Sequence, residues 1–262
     1  RKSNYVVFQS LQALGYQTLG YTIWLLVTLI FAVISSVGFL ASLQTIDTLE
    51  ADLNAWTVSY SLLLFGLIAL YFAPAILAAF ACALGRDFRY PILGKRLARY
   101  LGYAPSRAAD EPLWLDEEHE DRWVASMGHF SVIIVLWGLL APIVSWAMEG
   151  KRSPFLKFQS AQTVVYQAGT LVLYFVAGFF YIFGLGVFFL TIGFQGEVAL
   201  DSSGGMAGAV VFLVSLLIAV LILLAVPLLH ILGQWAGYRV LKGDEYQYSI
   251  VGRLVTRWIA EQ

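Results

Sequence analysis

Five stretches of this chain contain no Asp, Glu, Lys or Arg: 3–46, 53–85, 123–148, 158–196 and 202–238. Each is at least as long as the roughly 20 apolar residues a helix needs to cross the ~30 Å hydrocarbon layer of a bilayer. Their residues are continuous Leu, Val, Ile, Phe and Ala, without the period-2 alternation of a membrane barrel. Only 13% of the residues are charged and 60% are hydrophobic, against about 25% and 45–50% in soluble domains. The sequence therefore predicts an all-α, polytopic membrane protein. A net charge of −1 gives no support for nucleic-acid binding. The single cysteine, Cys82, rules out an intrachain disulfide, and its place in an apolar run reads as that of a small buried hydrophobe.

Self-comparison gives the organisation. RKSNYVVFQSLQALGYQ at 1–17 aligns with KRSPFLKFQSAQTVVYQ at 151–167, matching Phe8/Phe158, Gln9/Gln159, Gln12/Gln162, Tyr16/Tyr166 and Gln17/Gln167. A second alignment pairs GRDFRYPILGKRLARYL at 85–101 with GDEYQYSIVGRLVTRWI at 243–259. Two matches in the same order, each pair bracketing two apolar runs, read as a tandem duplication of a helical-hairpin unit. The expected divisions are a first repeat at 1–103, a Pro-containing acidic linker at 104–117, and a second, complete repeat at 118–262. The first repeat lacks the leading apolar segment 123–148, whose counterpart this reading places ahead of Arg1.

Loops 44–55 and 194–206 contain acids but no Lys or Arg. Short cytoplasmic loops carry the excess of basic residues. If 123–148 dips into the bilayer and returns, every basic residue falls on one side; if it crosses fully, the basic residues divide almost evenly. The charges thus favour four long spans plus one broken or re-entrant segment, bent at Gly138 and Pro142. Its length, about 39 Å as a helix, suits a fifth full span equally well. The favoured topology puts basic termini and linker on the cytoplasmic side of a bacterial inner membrane.

No carboxylate, Lys or Arg lies within an expected span, which argues against a proton relay, an intramembrane protease or an acid-lined cation pathway. No phosphate loop, His-Glu-x-x-His helix, nucleophile elbow or metal-ligand set is present, so no catalytic residue and no enzyme activity is expected. His129 and His230 are the intramembrane candidates. They read either as helix-bonding neutral imidazoles or as ligands of a haem or chlorophyll-type pigment. Gln9, Gln12, Gln17, Gln159, Gln162, Tyr166, Gln167 and Gln234 form an expected polar cluster in the inner leaflet. Arg86, Arg89, Lys95, Arg96, Arg99, Lys151, Arg152, Arg239, Lys242, Arg253 and Arg257 are expected at the interface, on amphipathic segments facing anionic headgroups, with lipid bound.

The second repeat also carries a string that resembles a known family. It comprises His129-Phe130-Ser131, Pro142 and Trp146 before a basic turn, and the helix start with Phe158, Gln159, Gln162 and Gln167. Gly243, Tyr246 and Tyr248 close it, with Ser249 where the pattern has Pro and the first repeat keeps Tyr90-Pro91. This resembles a bacterial membrane-domain family of unknown function, itself similar to the chloroplast inner-envelope import (Tic) channel component. The resemblance implies a protein- or solute-translocation channel, with the glutamine-bearing helix starts lining a polar cavity. The residues themselves favour a non-catalytic integral subunit or assembly scaffold, with other integral membrane subunits as partners. A pigment- or haem-binding protein is the third reading.

Overall fold

The computed structural model describes residues 4–42, 49–103, 116–149, 152–193 and 203–261. Among them the elements are all helical. Helices α1 (Asn4–Gly15) and α2 (Tyr21–Ser42) are joined through a π turn, Tyr16–Gly20, and are followed by α3 (Leu49–Ala83) and α4 (Leu93–Leu101). Then come α5 (Glu117–Phe130), two 3₁₀ turns (Ser131–Ile133 and Trp137–Leu139), α6 (Leu140–Glu149), α7 (Pro154–Gly193), α8 (Ser203–Leu241) and α9 (Val251–Ala260). Four stretches are long and apolar enough to cross a membrane: Asn4–Ser35, Asn54–Ala83, Pro154–Thr191 and Gly204–Leu241. Most of their large apolar side chains stay exposed, as lipid-facing helices require.

The chain divides into two compact units, residues 1–127 and 128–262. The division falls inside α5, later than the linker at 104–117, of which 104–115 lie outside the described residues. The first half of α5 belongs with the first unit because Trp123 packs there. Its indole Nε1 donates to the Leu11 carbonyl (3.0 Å), and its ring fills the space a Cβ on Gly15 would need. Within the same unit Thr18 reaches the Met127 sulfur at 3.0 Å.

Local sequence sets several helix ends. Ser153 caps α7, its hydroxyl accepting the Leu156 N–H (3.2 Å), and Pro154 takes the first helical position, where a missing N–H costs nothing. Asp116 caps α5 through the N–H groups of Glu118 and His119. Helix α7 has 40 residues, about 60 Å, roughly twice the hydrocarbon thickness. Its first turns are therefore free to hold a polar collar while the remainder crosses.

The segment 123–148 is not one straight span. Helix α5 stops at Phe130 and α6 starts at Leu140, so the break begins ahead of the expected bend but includes half of it. Gly138 lies inside it, whereas Pro142 sits in the first turn of α6, where it needs no donor. The chain folds back here: a Cβ on Gly128 would meet Pro142 at 3.6 Å, although a continuous helix would separate these positions by about 21 Å. The Ser131 hydroxyl pins the turn from between the carbonyls of Gly128 (2.6 Å) and Gly138 (2.8 Å), its one proton serving either. Helix geometry thus supports the broken form over a fifth straight span.

Gly138 is required by this fold-back, since a Cβ would lie 2.0 Å from the Ser131 carbonyl oxygen, which is backbone and has no rotamer to change. Gly169, on α7, has open space around it. We expect Gly138→Ala to destabilise the chain by about 3 kcal/mol or more, and Gly169→Ala to leave the melting temperature in detergent unchanged or slightly raised.

Candidate functional site

After α3, and again after α8, the chain leaves the helix through a glycine with positive φ, Gly85 (φ 69°) and Gly243 (φ 106°). The stop is a Schellman turn in both units: Arg86 N–H to the Ala81 carbonyl (2.9 Å), and Asp244 N–H to the Arg239 carbonyl (3.1 Å). An extended arm follows, residues 86–90 in one unit and 244–248 in the other, before the short helices α4 and α9. An arm with no neighbouring strand must find other partners for its backbone.

Glutamine side chains supply them. In the first unit the Gln12 amide nitrogen donates to the Phe88 carbonyl (2.8 Å), while its oxygen accepts the Tyr90 N–H (3.2 Å). Gln9 also donates to the Phe88 carbonyl (3.1 Å), and the Gln12 amide bonds the Gln9 oxygen (2.7 Å). The second unit repeats every contact. Gln162 donates to the Tyr246 carbonyl (2.8 Å) and accepts from the Tyr248 N–H (3.3 Å); Gln159 donates to the Tyr246 carbonyl (3.1 Å); Gln162 bonds the Gln159 oxygen (2.6 Å). A primary amide carries a donor and an acceptor spaced like those of a peptide group, so one Gln stands in for a strand partner.

The aromatic contacts repeat as well. Tyr16 stacks on Tyr90 (4.2 Å) and Tyr166 on Tyr248 (4.0 Å), both nearly parallel. The Tyr16 hydroxyl donates to the Tyr71 carbonyl of α3, and the Tyr166 hydroxyl to the Leu229 carbonyl of α8, each at 2.7 Å. Gly94 and Gly252 place α4 and α9 against the clamp, since a Cβ would meet the Gln12 oxygen at 2.7 Å or the Gln162 oxygen at 3.2 Å.

The second unit adds His129. Its ring is wholly buried, with Nε2 3.0 Å from the Gln159 oxygen and Nδ1 3.1 Å from the Tyr248 hydroxyl. The Gln159 amide nitrogen already donates to Tyr246, so its oxygen must accept. That assigns the proton to Nε2 and leaves Nδ1 to accept from Tyr248 or from Thr163 (3.0 Å). Both nitrogens are engaged, and neither is directed at open space. His230 lies on α8 and is half-buried, its Nε2 3.4 Å from the Tyr174 hydroxyl.

The remaining expected residues distribute as follows. Gln167 donates to the Gly128 carbonyl (2.8 Å), and Gln234 to the Phe130 carbonyl (2.8 Å), so both cap the broken end of α5. Gln17 does not join the cluster: the π turn shifts the helical phase and leaves its side chain exposed, unlike that of its counterpart Gln167. Cys82 is half-buried rather than enclosed, with Sγ 3.5 Å from the Gln9 oxygen. Lys95, Arg96, Arg99, Arg253 and Arg257 are exposed on α4 and α9, Lys242 is exposed just past the end of α8, and Arg239 on α8 bonds Asp244. Arg89 pairs with Asp87, Arg86 is exposed at the start of its arm, and Arg152 precedes α7. Lys151 lies outside the described residues. Sequence reasoning missed Thr163, Tyr246 and Tyr248 as members of the polar cluster; the pairing of Tyr90 with Tyr248 in the internal alignment was the signal available for the last.

Taken together, the fold and its buried polar lattice define an all-helical integral membrane protein that spends its intramembrane polar side chains on its own backbone. The chain belongs to MamF/MmsF, the magnetosome magnetite crystal formation protein family, whose model matches residues 120–255. No curated protein and no solved structure matches it.

Gln162→Leu takes the acceptor from the Tyr248 N–H and one of two amide donors from the Tyr246 carbonyl, and should cost about 2–4 kcal/mol in thermal melts in detergent.

Proposed function

We propose that the chain is a non-catalytic scaffold in a bacterial inner membrane, an integral component around which a larger membrane complex assembles. The single observation that carries this reading is the fate of the polar residues. Gln12, Gln159, Gln162, Gln167 and His129 are each nearly or fully buried and each bonded within the fold. Among the described residues no group of three or more His, Cys, Asp or Glu is arranged to hold a metal ion. The family description supplies the setting, magnetosome magnetite crystal formation. In that setting the chain's contribution is architectural: in each unit, lipid- or partner-facing helices are tied to one another by buried glutamine and tyrosine contacts.

The same observations support a tandem duplication as the origin of the two units, since the glutamine clamp, the tyrosine stack and the Schellman stop recur at matching positions. The basic clusters favour a cytoplasmic location for the arms and short helices. The import-related resemblance implies a channel, and that reading needs glutamines exposed to an opening; their bonds to the arm backbone favour the scaffold.

Solubilising native membranes in a mild detergent and capturing a tagged full-length chain tests the proposal. A stoichiometric set of the same integral membrane proteins is the expected result. A chain that comes alone or only with copies of itself would sink the scaffold reading.

A further inference from the structure

Helix α9 has three distinct strips. Gly252 and Val255 are buried against the second unit. On the outer surface Ile250, Leu254 and Trp258 follow one another at intervals of four, exposed to 69%, 55% and 40%. Arg253 and Arg257, also four apart and exposed, run beside them. Positions at this spacing stack on one line of a helix, so the exposed surface has an apolar flank and a cationic flank lying side by side.

The apolar flank does not end at α9. Trp258 packs on Trp146 of α6, with ring centres 5.7 Å apart, and α6 exposes Ile143, Val144 and Met148. The cationic flank lacks acidic partners: Arg253 donates to the Ser249 carbonyl, and neither arginine pairs with a carboxylate among the described residues. A second feature sits at the end of α8 in the same unit. Arg239 lies over the Trp235 ring (5.8 Å) and Lys242 over the Tyr238 ring (5.4 Å), with both aromatic side chains substantially exposed. Aromatic rings below and cations above is the order of groups met on crossing from acyl chains into headgroups.

The first unit provides an internal contrast. On α4 the matching positions are Ile92, Arg96 and Tyr100. Arg96 interrupts the apolar line where α9 has Leu254, and Tyr100 is turned against the His119 ring (4.5 Å). Helix α4 is therefore basic on its outer face without an adjoining apolar strip.

We propose that α9 lies in the plane of the bilayer surface and holds an anionic phospholipid, its acyl chains along Ile250, Leu254 and Trp258 and its phosphate between Arg253 and Arg257. The apolar flank selects a lipid over a soluble anion, and the arginine pair selects an acidic headgroup over a zwitterionic one. Helix α4 shares the charge but not the apolar strip, so it lacks this selectivity.

Native mass spectrometry of the full chain, equilibrated in detergent with equal amounts of phosphatidylglycerol and phosphatidylcholine, reads the site directly. The wild-type chain should retain phosphatidylglycerol preferentially. In R253Q/R257Q the preference should fall roughly thirtyfold, given about 1 kcal/mol per cation. K95Q/R96Q/R99Q, which removes more charge from α4, should keep it. Both arginines are exposed, so an unchanged melting temperature checks that folding is intact, and R257E alone provides a second variant. An undiminished preference in R253Q/R257Q, an equal loss in the α4 variant, or displacement of the lipid by millimolar inorganic phosphate would each overturn the proposal.

Discussion

A peptide segment that leaves a helix at the membrane surface needs partners for its backbone, and in this protein one glutamine amide supplies them. Gln12 and Gln162 each offer a donor and an acceptor to alternate backbone groups of an extended arm. Fixing the arm fixes its tyrosine, which stacks on the tyrosine one turn along the glutamine-bearing helix and completes the collar. The short helices α4 and α9 can then approach only because glycine faces the clamp. The collar matters because apolar helices gain no hydrophobic drive toward one another in lipid, so packing and polar contacts must specify the arrangement.

The second unit extends this logic to a helix break. A helix that stops within apolar surroundings exposes its last carbonyls, which cost several kcal/mol each if left bare. Here Ser131, Gln167 and Gln234 answer the carbonyls of Gly128 and Phe130, so the fold-back at 131–139 is satisfied from three directions. His129 joins the break to the clamp, bridging Gln159 on α7 and Tyr248 on the arm. A neutral imidazole suits that place because it donates on one side and accepts on the other.

Much of this was legible in the sequence. Charge-free runs gave the four long helices, and self-comparison marked Gln9, Gln12, Gln159 and Gln162 as a recurrent pair. What those glutamines bind was not legible, because their partners lie far along the chain and are backbone atoms that leave no trace in residue type. The phase of Gln17 was misread since a π turn has no compositional signature, although Gly15 and Gly20 flank it. Gly138 marks the break, but its start after Phe130 has no such mark in the sequence. Pro142 is the conspicuous residue, yet a proline in the first turn of a helix marks a beginning, and the true stop is written in the distant Gln167 and Gln234.

If the glutamines clamp the arms, amide hydrogen exchange reads the clamp at the backbone groups they hold. In the intact protein, the Tyr90 and Tyr248 amides should exchange as slowly as the last turns of α3 and α8, despite lying outside any regular helix. Exchange at the rate of an open loop in both arms would mean that the glutamines do not hold them, leaving the polar residues free for the lining of a site.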